Sequence, residues 1–225
     1  MELYHGSALD NPEKWTHATA LITDPPYGID YRPIRVGGTT TSAIAGDKTI
    51  AVRDEALAAW HEANSGSKPV AIFGSWKAPR PTPTKQRLIW HKAGNIMNHI
   101  VLPWRPVDEE IYIWGNGWTR STRAPASIIS TAENRPNETR RFGHPTPKPL
   151  DLLQTLMSRL EPVAGGHVIA DPFAGSGATL VAAALMGHGA VGVELEERYC
   201  EQIARRLEFV LANGEDAPRS VIVRD

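Results

Sequence analysis

The residues best suited to chemistry lie near the amino end. Asp24-Pro25-Pro26-Tyr27 follow directly on the apolar run Ala20 to Thr23, which reads as a buried strand. Two consecutive prolines fix φ and carry no N–H, so the chain leaves the strand through a stiff turn whose carbonyls lack ladder partners and can accept hydrogen bonds from a ligand. Asp24 adds an anionic acceptor, and Tyr27 adds a flat face on which a planar base can stack. Such a corner suits an exocyclic amine, a poor nucleophile because its lone pair is conjugated into the ring. Two acceptors on its hydrogens favour a pyramidal nitrogen that can attack a methyl sulfonium in line. The bland alternative is a proline turn with a capping Asp.

A second constellation begins at His167, in HVIADPFAGSGATLVAAALMGHGAVGVELEERYCEQIARRL. It parses as strand, glycine turn, helix, strand, helix. Gly175 and Gly177 stand where strand gives way to helix, letting a ligand approach the positive helix end. Glu194 closes the next strand 19 residues beyond Gly175, where a carboxylate can accept both hydroxyls of a ribose. A dinucleotide fingerprint would need a small residue where Leu180 stands, which argues against NAD or FAD. S-adenosylmethionine fits better, its ammonium meeting Asp171, its carboxylate the helix end and its ribose Glu194. The competing reading is a purely structural strand-to-helix turn.

These residues need a scaffold of alternating elements. Strand character falls on Ala20 to Thr23, Val70 to Phe73, Leu88 to Trp90, Ile111 to Trp114, His167 to Ala170 and Ala190 to Val193. Helical spacing falls on Arg53 to Ala63, Pro149 to Leu160, Ala178 to Met186 and Glu196 to Ala212. In the last of these Tyr199, Ile203, Leu207 and Val210 share a face and Asn213-Gly214 signals the stop. The alternation predicts an α/β fold with a mainly parallel sheet and helices on both faces. Asp30 to Lys48 and Gly115 to Gly143 resist the pattern and read as long functional loops.

The 225 residues, 24.6 kDa, fit one α/β domain, residues 1–225, and a composition of 41% apolar and 22% charged residues is globular. No apolar run reaches the roughly 18 residues of a membrane span, and the start MELYHGSALD lacks signal-peptide character, so a cytoplasmic location is expected. The single cysteine, Cys200, excludes an internal disulfide, and the eight histidines show no HExxH spacing, so no metal is expected. Net charge is −1, yet Lys77, Arg80, Lys85, Arg87, Lys92 and Arg105 fall in a stretch without acids, and Trp76, Trp90, Trp104, Trp114 and Trp118 crowd in and around it. Such a stretch is either a nucleic-acid surface or a solvated basic face over ordinary core.

Taken together the motifs resemble those of the amino-directed DNA methyltransferases in the motif order of their β group: TDPPYG (Thr23 to Gly28), then HPTPKP (His144 to Pro149), then DPFAGSG (Asp171 to Gly177), then the acidic strand end at Glu194. The resemblance implies a Rossmann-like methyltransferase fold with circularly permuted motifs. It implies methyl transfer from S-adenosylmethionine to adenine N6 or cytosine N4 of a base flipped out of double-stranded DNA. Asp24, Pro25, Pro26 and Tyr27 become the catalytic segment; Asp171, Phe173, Gly175, Gly177, Glu194, Thr146 and Lys148 become the cofactor residues. The family's target-recognition region maps to residues 117–143, with Arg120, Arg123, Arg135, Arg140 and Arg141 as DNA contacts. Its small size points to a short recognition sequence or a second subunit, as in a homodimer. Residues 30–48 map to a mobile active-site loop. DPPY, rather than a serine-initiated motif, favours adenine. Two departures stand out: Ser7 replaces the acid that relatives often carry, with Asp10 as a stand-in, and Ala178 replaces a common Thr.

Other activities compete. C5-cytosine methylation needs a nucleophilic thiol, and Cys200 falls inside the last helical pattern. RNA or protein-glutamine methylation uses a similar Pro-Pro-Tyr chemistry, typically with Asn first and the cofactor motif ahead of it. A catalytically inactive DNA-binding module would not need Asp24, Tyr27 and Glu194 together.

Overall fold

The computed structural model describes residues 1–29, 35–36, 39–40, 48–93, 103–104, 106–132 and 147–217. In chain order the elements are β1 (Glu2–His5), α1 (Glu13–Thr16), β2 (Ala20–Thr23), β3 (Arg35–Val36), β4 (Thr39–Thr40), α2 (Ala51–Asn64), β5 (Val70–Gly74), β6 (Gln86–Ala93), β7 (Asp108–Trp114), β8 (Ile128–Ala132), α3 (Leu150–Met157), β9 (Val168–Asp171), α4 (Ala178–Leu185), β10 (Gly189–Glu194) and α5 (Glu197–Asn213). Eight strands form one sheet in the order β1-β10-β9-β2-β5-β7-β6-β8, while β3 and β4 pair as a separate antiparallel ribbon. From β1 to β5 every neighbour is parallel; β7 runs antiparallel to both β5 and β6, and β8 is again parallel to β6. The expected α/β architecture, a mainly parallel sheet, is present.

Both faces of the central strands are covered, which is why they read as unbroken apolar runs. Ala20, Ile22, Ala71, Phe73, Ile111 and Ile169 pack on the side of α3, α4 and α5 with Leu153, Leu180, Ile203 and Leu207. Leu21, Val70, Ile72, Tyr112 and Ala170 pack on the opposite side with Trp15 and Trp60 of α1 and α2. The period-two alternation of β2 therefore feeds two cores at once. Among the described residues no helix is long and apolar enough to cross a membrane.

Two strands of the eight-stranded sheet escaped the sequence reading, as did the short β3–β4 ribbon. β1 (ELYH) is an edge strand held by parallel pairing of Glu2 to His5 with Val191 to Glu194, which needs backbone complementarity more than apolar residues. β8 lies inside the stretch expected as a loop; it pairs with Ile89 to Ala93, and buried Trp90 Nε1 donates to Thr131 Oγ1 at 2.8 Å. The tryptophans of the basic stretch divide: Trp90 is buried, whereas Trp76 and Trp104 are exposed. The 30–48 loop expectation lies mostly outside the described residues, as do Thr146, Arg135, Arg140 and Arg141.

Gly177 caps α4 at φ 75°, and a Cβ there would meet Ile203 Cγ1 at 2.8 Å. Gly187 has a similar φ of 73° with nothing within 4 Å of a Cβ. Gly187→Ala should cost only the left-handed strain, about 1–2 kcal/mol. Gly177→Ala should cost that plus the displacement of Ile203, about 1–3 kcal/mol more. Chemical denaturation of the two variants reads the difference; equal losses would show that the contact with α5 does not constrain this turn.

Candidate active site at the carboxyl edge of the sheet

In a parallel sheet all strands end on one side, and ligands bind in the crevice outside those ends. The order β10-β9-β2-β5 places Glu194, Asp171, Asp24 and Gly74 at that edge on consecutive strands. The two constellations, far apart in sequence, are therefore neighbours in space. Thr23 at the end of β2 donates its hydroxyl to Asp171 Oδ1 at the end of β9, at 2.7 Å, with both side chains buried.

The glycine turn is held from several directions. Phe173 N donates to Asp171 Oδ1 at 3.2 Å, Ala174 N to Val193 O at 2.9 Å, and Gly177 N to Ala174 O at 2.7 Å. Glu194 accepts from Gly175 N and from Glu196 N, both at 2.8 Å. Arg206, buried in α5, donates to Ser176 O at 2.9 Å and forms a two-pronged bond with Asp216 at 2.6 and 2.8 Å. Sequence reasoning missed Arg206. Its signal was a cation beside the apolar face set by Ile203, Leu207 and Val210, a position where a lysine or arginine needs a buried partner.

Electrostatics follow from this burial. The Asp171 carboxyl is pushed up to about 6, chiefly by desolvation, against hydrogen bonds from Thr179, Thr23 and Phe173 N that favour the anion. Glu194 is raised for the same reason, partly opposed by the Glu196 and Gly175 amides. Burial and the Glu194 charge lift the Cys200 thiol to about 11, so it is not a ready thiolate nucleophile. Ser7 Oγ accepts from Leu9 N at 3.2 Å, while Asp10 is exposed.

At the acceptor corner, Asp24 uses both carboxylate oxygens. Tyr27 Oη donates to Oδ1 at 2.6 Å, and the Lys148 ammonium pairs with Oδ2. Lys148 also lies 3.5 Å from Glu109 Oε2, and the other oxygen of Glu109 pairs with Lys92. Burial first, then the Asp24 and Glu109 charges, raise the Tyr27 hydroxyl well above its ordinary value, so it remains a donor. Sequence reasoning placed Lys148 at the cofactor; the structure places its ammonium among the acids of the acceptor corner. Glu109 was not anticipated, and Lys92, read from the sequence as part of a basic surface, is instead buried against it; the two belong to no motif and come together only through the register Trp90↔Glu109 and His91↔Asp108.

Not every candidate joins the site. β7 descends from this edge, ending at Trp114 opposite Val70, the first residue of β5. The chain carrying exposed Arg120 and Arg123 leaves from the opposite edge, tied there by Thr119 N donating to Arg159 O at 2.8 Å and by Glu161 N donating to Gly117 O at 2.8 Å. β8, by contrast, runs parallel to β6 toward the acceptor edge, ending with Ala132 opposite Ala93. Among the described residues no group of His, Cys, Asp and Glu is placed to hold a metal ion.

The Asp171 shift predicts a pH signature. The folded state holds its proton up to about pH 6 and the unfolded chain only to about 3.8, so the unfolded state binds fewer protons between those values and stability falls as pH rises through them. Above pH 6 the full cost of the buried anion, on the order of 3 kcal/mol, is present. Asp171→Asn should remove this slope. Urea denaturation of both proteins at pH 4 and pH 7 should show the variant gaining on the wild type at the higher pH; parallel behaviour would show that Asp171 titrates normally.

The sequence and structure can be set against known proteins. A family model described as DNA methylase, of the N6/N4 methyltransferases, matches residues 59–205. YubD of Escherichia coli (strain K12), a methylase by name, is 30% identical over 201 residues, 84% of this chain and 82% of its own. Among solved structures, the M1.HpyAVI–SAM complex superposes with a TM-score of 0.66 at 18% identity, covering 92% of this chain and 98% of that one. PvuII DNA methyltransferase, cytosine-N4-specific, superposes with a TM-score of 0.57 at 13% identity, covering 90% and 84%. At these identities the two structural likenesses speak for the fold. The family match and the relative that spans most of the chain go further: the protein belongs to the N6/N4 DNA methylase family.

Proposed function

We propose that this chain transfers a methyl group from S-adenosylmethionine to the exocyclic N6 of an adenine flipped out of duplex DNA. The observation that carries the reading is the meeting of Asp24 and the glycine cradle on adjacent strand ends, joined by the Thr23–Asp171 hydrogen bond of 2.7 Å. The cradle fits the cofactor. Gly177 holds the turn into α4 in a left-handed conformation against Ile203 of α5, Glu194 stands at the end of β10 with its carboxylate facing the Gly175 amide, and Phe173 is partly exposed beside the cradle. Asp171, Phe173, Gly175, Gly177 and Glu194 would hold the cofactor, which supplies an electrophilic methyl carbon on a sulfonium.

The chain's own residues perform the remaining work. Asp24 accepts a hydrogen bond from the amine, and the carbonyls of the Pro25-Pro26 turn offer the second acceptor. Tyr27, tethered through its hydroxyl to Asp24, offers its ring to the extruded base. Extrusion costs a few kcal/mol, offset by stacking and by these hydrogen bonds. Fixed alignment of nitrogen and methyl carbon contributes on the order of 7–11 kcal/mol of the barrier reduction. Asp24 at the head of the motif favours adenine over cytosine.

Recognition of DNA is assigned to the segment 133–146, because the chain enters it from Ala132 and leaves it at Lys148, both at the acceptor edge. Arg135, Arg140 and Arg141 lie within it and can read guanine edges or phosphates. Arg120 and Arg123 are assigned no base contact, since they leave the sheet on the far side.

Asp24→Ala should lower the transfer rate by more than about 100-fold with cofactor affinity within a few-fold of wild type, the size expected for losing one preorganised acceptor. Glu194→Ala should instead weaken cofactor binding about tenfold, the size of one lost hydrogen-bonded charge. Calorimetric titration with S-adenosylmethionine and transfer of labelled methyl to DNA separate the two effects. Mass spectrometry of nucleosides from the methylated DNA should find N6-methyladenine. N4-methylcytosine would reassign the base, and label confined to RNA or protein would overturn the reading.

A further inference from the structure

The seven tryptophans divide sharply by burial. Trp15, Trp60 and Trp90 are 0% exposed and Trp114 1%, whereas Trp76 is 71% exposed and Trp104 88%. A ring of that size left in water is a candidate contact surface, more so where a second one shares its side of the molecule. Both belong to the edge of the sheet that carries Asp24. Trp76 stands two residues past the end of β5, and Trp104 precedes β7, a strand that starts at the same edge. β5 is the parallel neighbour of β2, with Ile72 opposite Thr23, so Trp76 follows the strand next to the acceptor corner. Of the other exposed large apolar side chains, Ile128 opens β8 at the opposite edge and Leu195 follows β10 on the cofactor side.

The turn that presents Trp76 is tied down at several points. Ala78 N donates to Ser75 O at 3.0 Å and Lys77 N to Ser75 Oγ at 3.3 Å. Buried Arg53 of α2 donates to Pro79 O at 2.8 Å, and the Arg80 guanidinium lies 5.6 Å from the Tyr112 ring. The exposed Lys77 ammonium is 5.7 Å from the Trp76 ring centroid, and the chain has no acid between Glu62 and Asp108. A ring and a cation already held in place lose little freedom on meeting a polyanion that carries flat bases.

The proposed reaction creates a place for such a ring. Extruding one base leaves a gap in the stack, with the faces of its neighbours open to water. An apolar side chain entering that gap restores the lost contact and holds the base out.

We infer that Trp76 enters the duplex where the target base leaves it, stacking on the uncovered bases while Lys77 meets an adjacent phosphate. This rests on the reading that a base leaves duplex DNA for Asp24. Trp76 is then a positioning residue: it touches DNA but not the reacting atoms.

The test uses duplex oligonucleotides carrying a site mapped on plasmid DNA that the wild-type protein has methylated, with the target base either paired or mispaired. A mispaired base costs less to extrude, so the ring matters less there. Trp76→Ala should lower the single-turnover methylation rate about tenfold or more on the paired duplex, the scale of one lost base–aromatic stack, and less than about threefold on the mispaired one. Trp76→Phe should recover most of the rate. Affinity for S-adenosylmethionine, read by calorimetry, should stay within about twofold. Lys77→Gln should reduce the slope of log DNA affinity against log salt by about one.

A Trp76→Ala rate within threefold of wild type on the paired duplex, or the same loss on both duplexes, overturns the inference. So does a Trp76→Phe variant no faster than Trp76→Ala. A wild-type dimer that Trp76→Ala dissociates, read by sedimentation, assigns the ring to a second copy of the chain and also overturns it. An unchanged salt slope for Lys77→Gln removes the phosphate contact. Absence of transfer to any DNA by the wild-type protein would overturn the proposed function itself, and is thereby distinguished from failure of the Trp76 role alone.

Discussion

Everything at the candidate site depends on the parallel pairing of β2 with β9. Two segments separated by well over half the chain, one rich in acceptors and one rich in glycine, end side by side because Ala20 and Leu21 pair with Ile169 and Ala170. The pairing is sealed by the buried Thr23–Asp171 hydrogen bond, which joins the last residue of one strand to the last residue of the other. A shift of one residue along β2 would exchange its two apolar faces and carry Asp24 out of line with the cradle. The register is therefore set by the same core packing that stabilises the fold. Geometry at the reacting centre is a consequence of burying Leu21 on one side and Ala20 and Ile22 on the other.

Around this junction the polar groups are arranged by a common rule: what is buried is bonded. Asp171, Glu194, Arg206, Lys148 and Lys92 are each withdrawn from water, and each meets a hydroxyl, amide or opposite charge. The cradle side combines uncharged donors with carboxylates raised by burial, which suits a cationic ligand bearing a ribose. The acceptor side combines alternating acids and lysines, which suits a neutral amine about to become cationic. The sheet thus separates two electrostatic environments by the width of one strand.

Much of this was legible in the sequence. The buried strands announced themselves as apolar runs, α5 by the spacing of Tyr199, Ile203, Leu207 and Val210, and the two loops of the site by Pro-Pro and Gly-rich turns with acids at fixed distance. What was hidden shares a physical origin. β1 and β8 are edge strands whose stability comes from backbone pairing to a neighbour already in place, so neither needs a strong apolar pattern. Glu109 and Lys92 are ordinary charges in sequence, and acquire meaning only when β6 and β7 are brought into antiparallel register. Arg206 looked like a solvated position on an amphipathic helix but reaches inward to Ser176 and Asp216. The placement of Arg120 and Arg123 could not be read either, because it depends on the direction in which β7 crosses the sheet.

Whether donor and acceptor meet at one edge of the sheet is decided by a crystal structure of the protein bound to S-adenosylmethionine. The ribose hydroxyls should lie on Glu194, the methionine portion beside Phe173, and the sulfonium methyl should be directed toward Asp24 with space for a single base nitrogen between them, roughly the 3–3.5 Å of a near-attack approach to the methyl carbon. A cofactor seated at the opposite edge of the sheet, or one whose methyl group points away from Asp24, would contradict it.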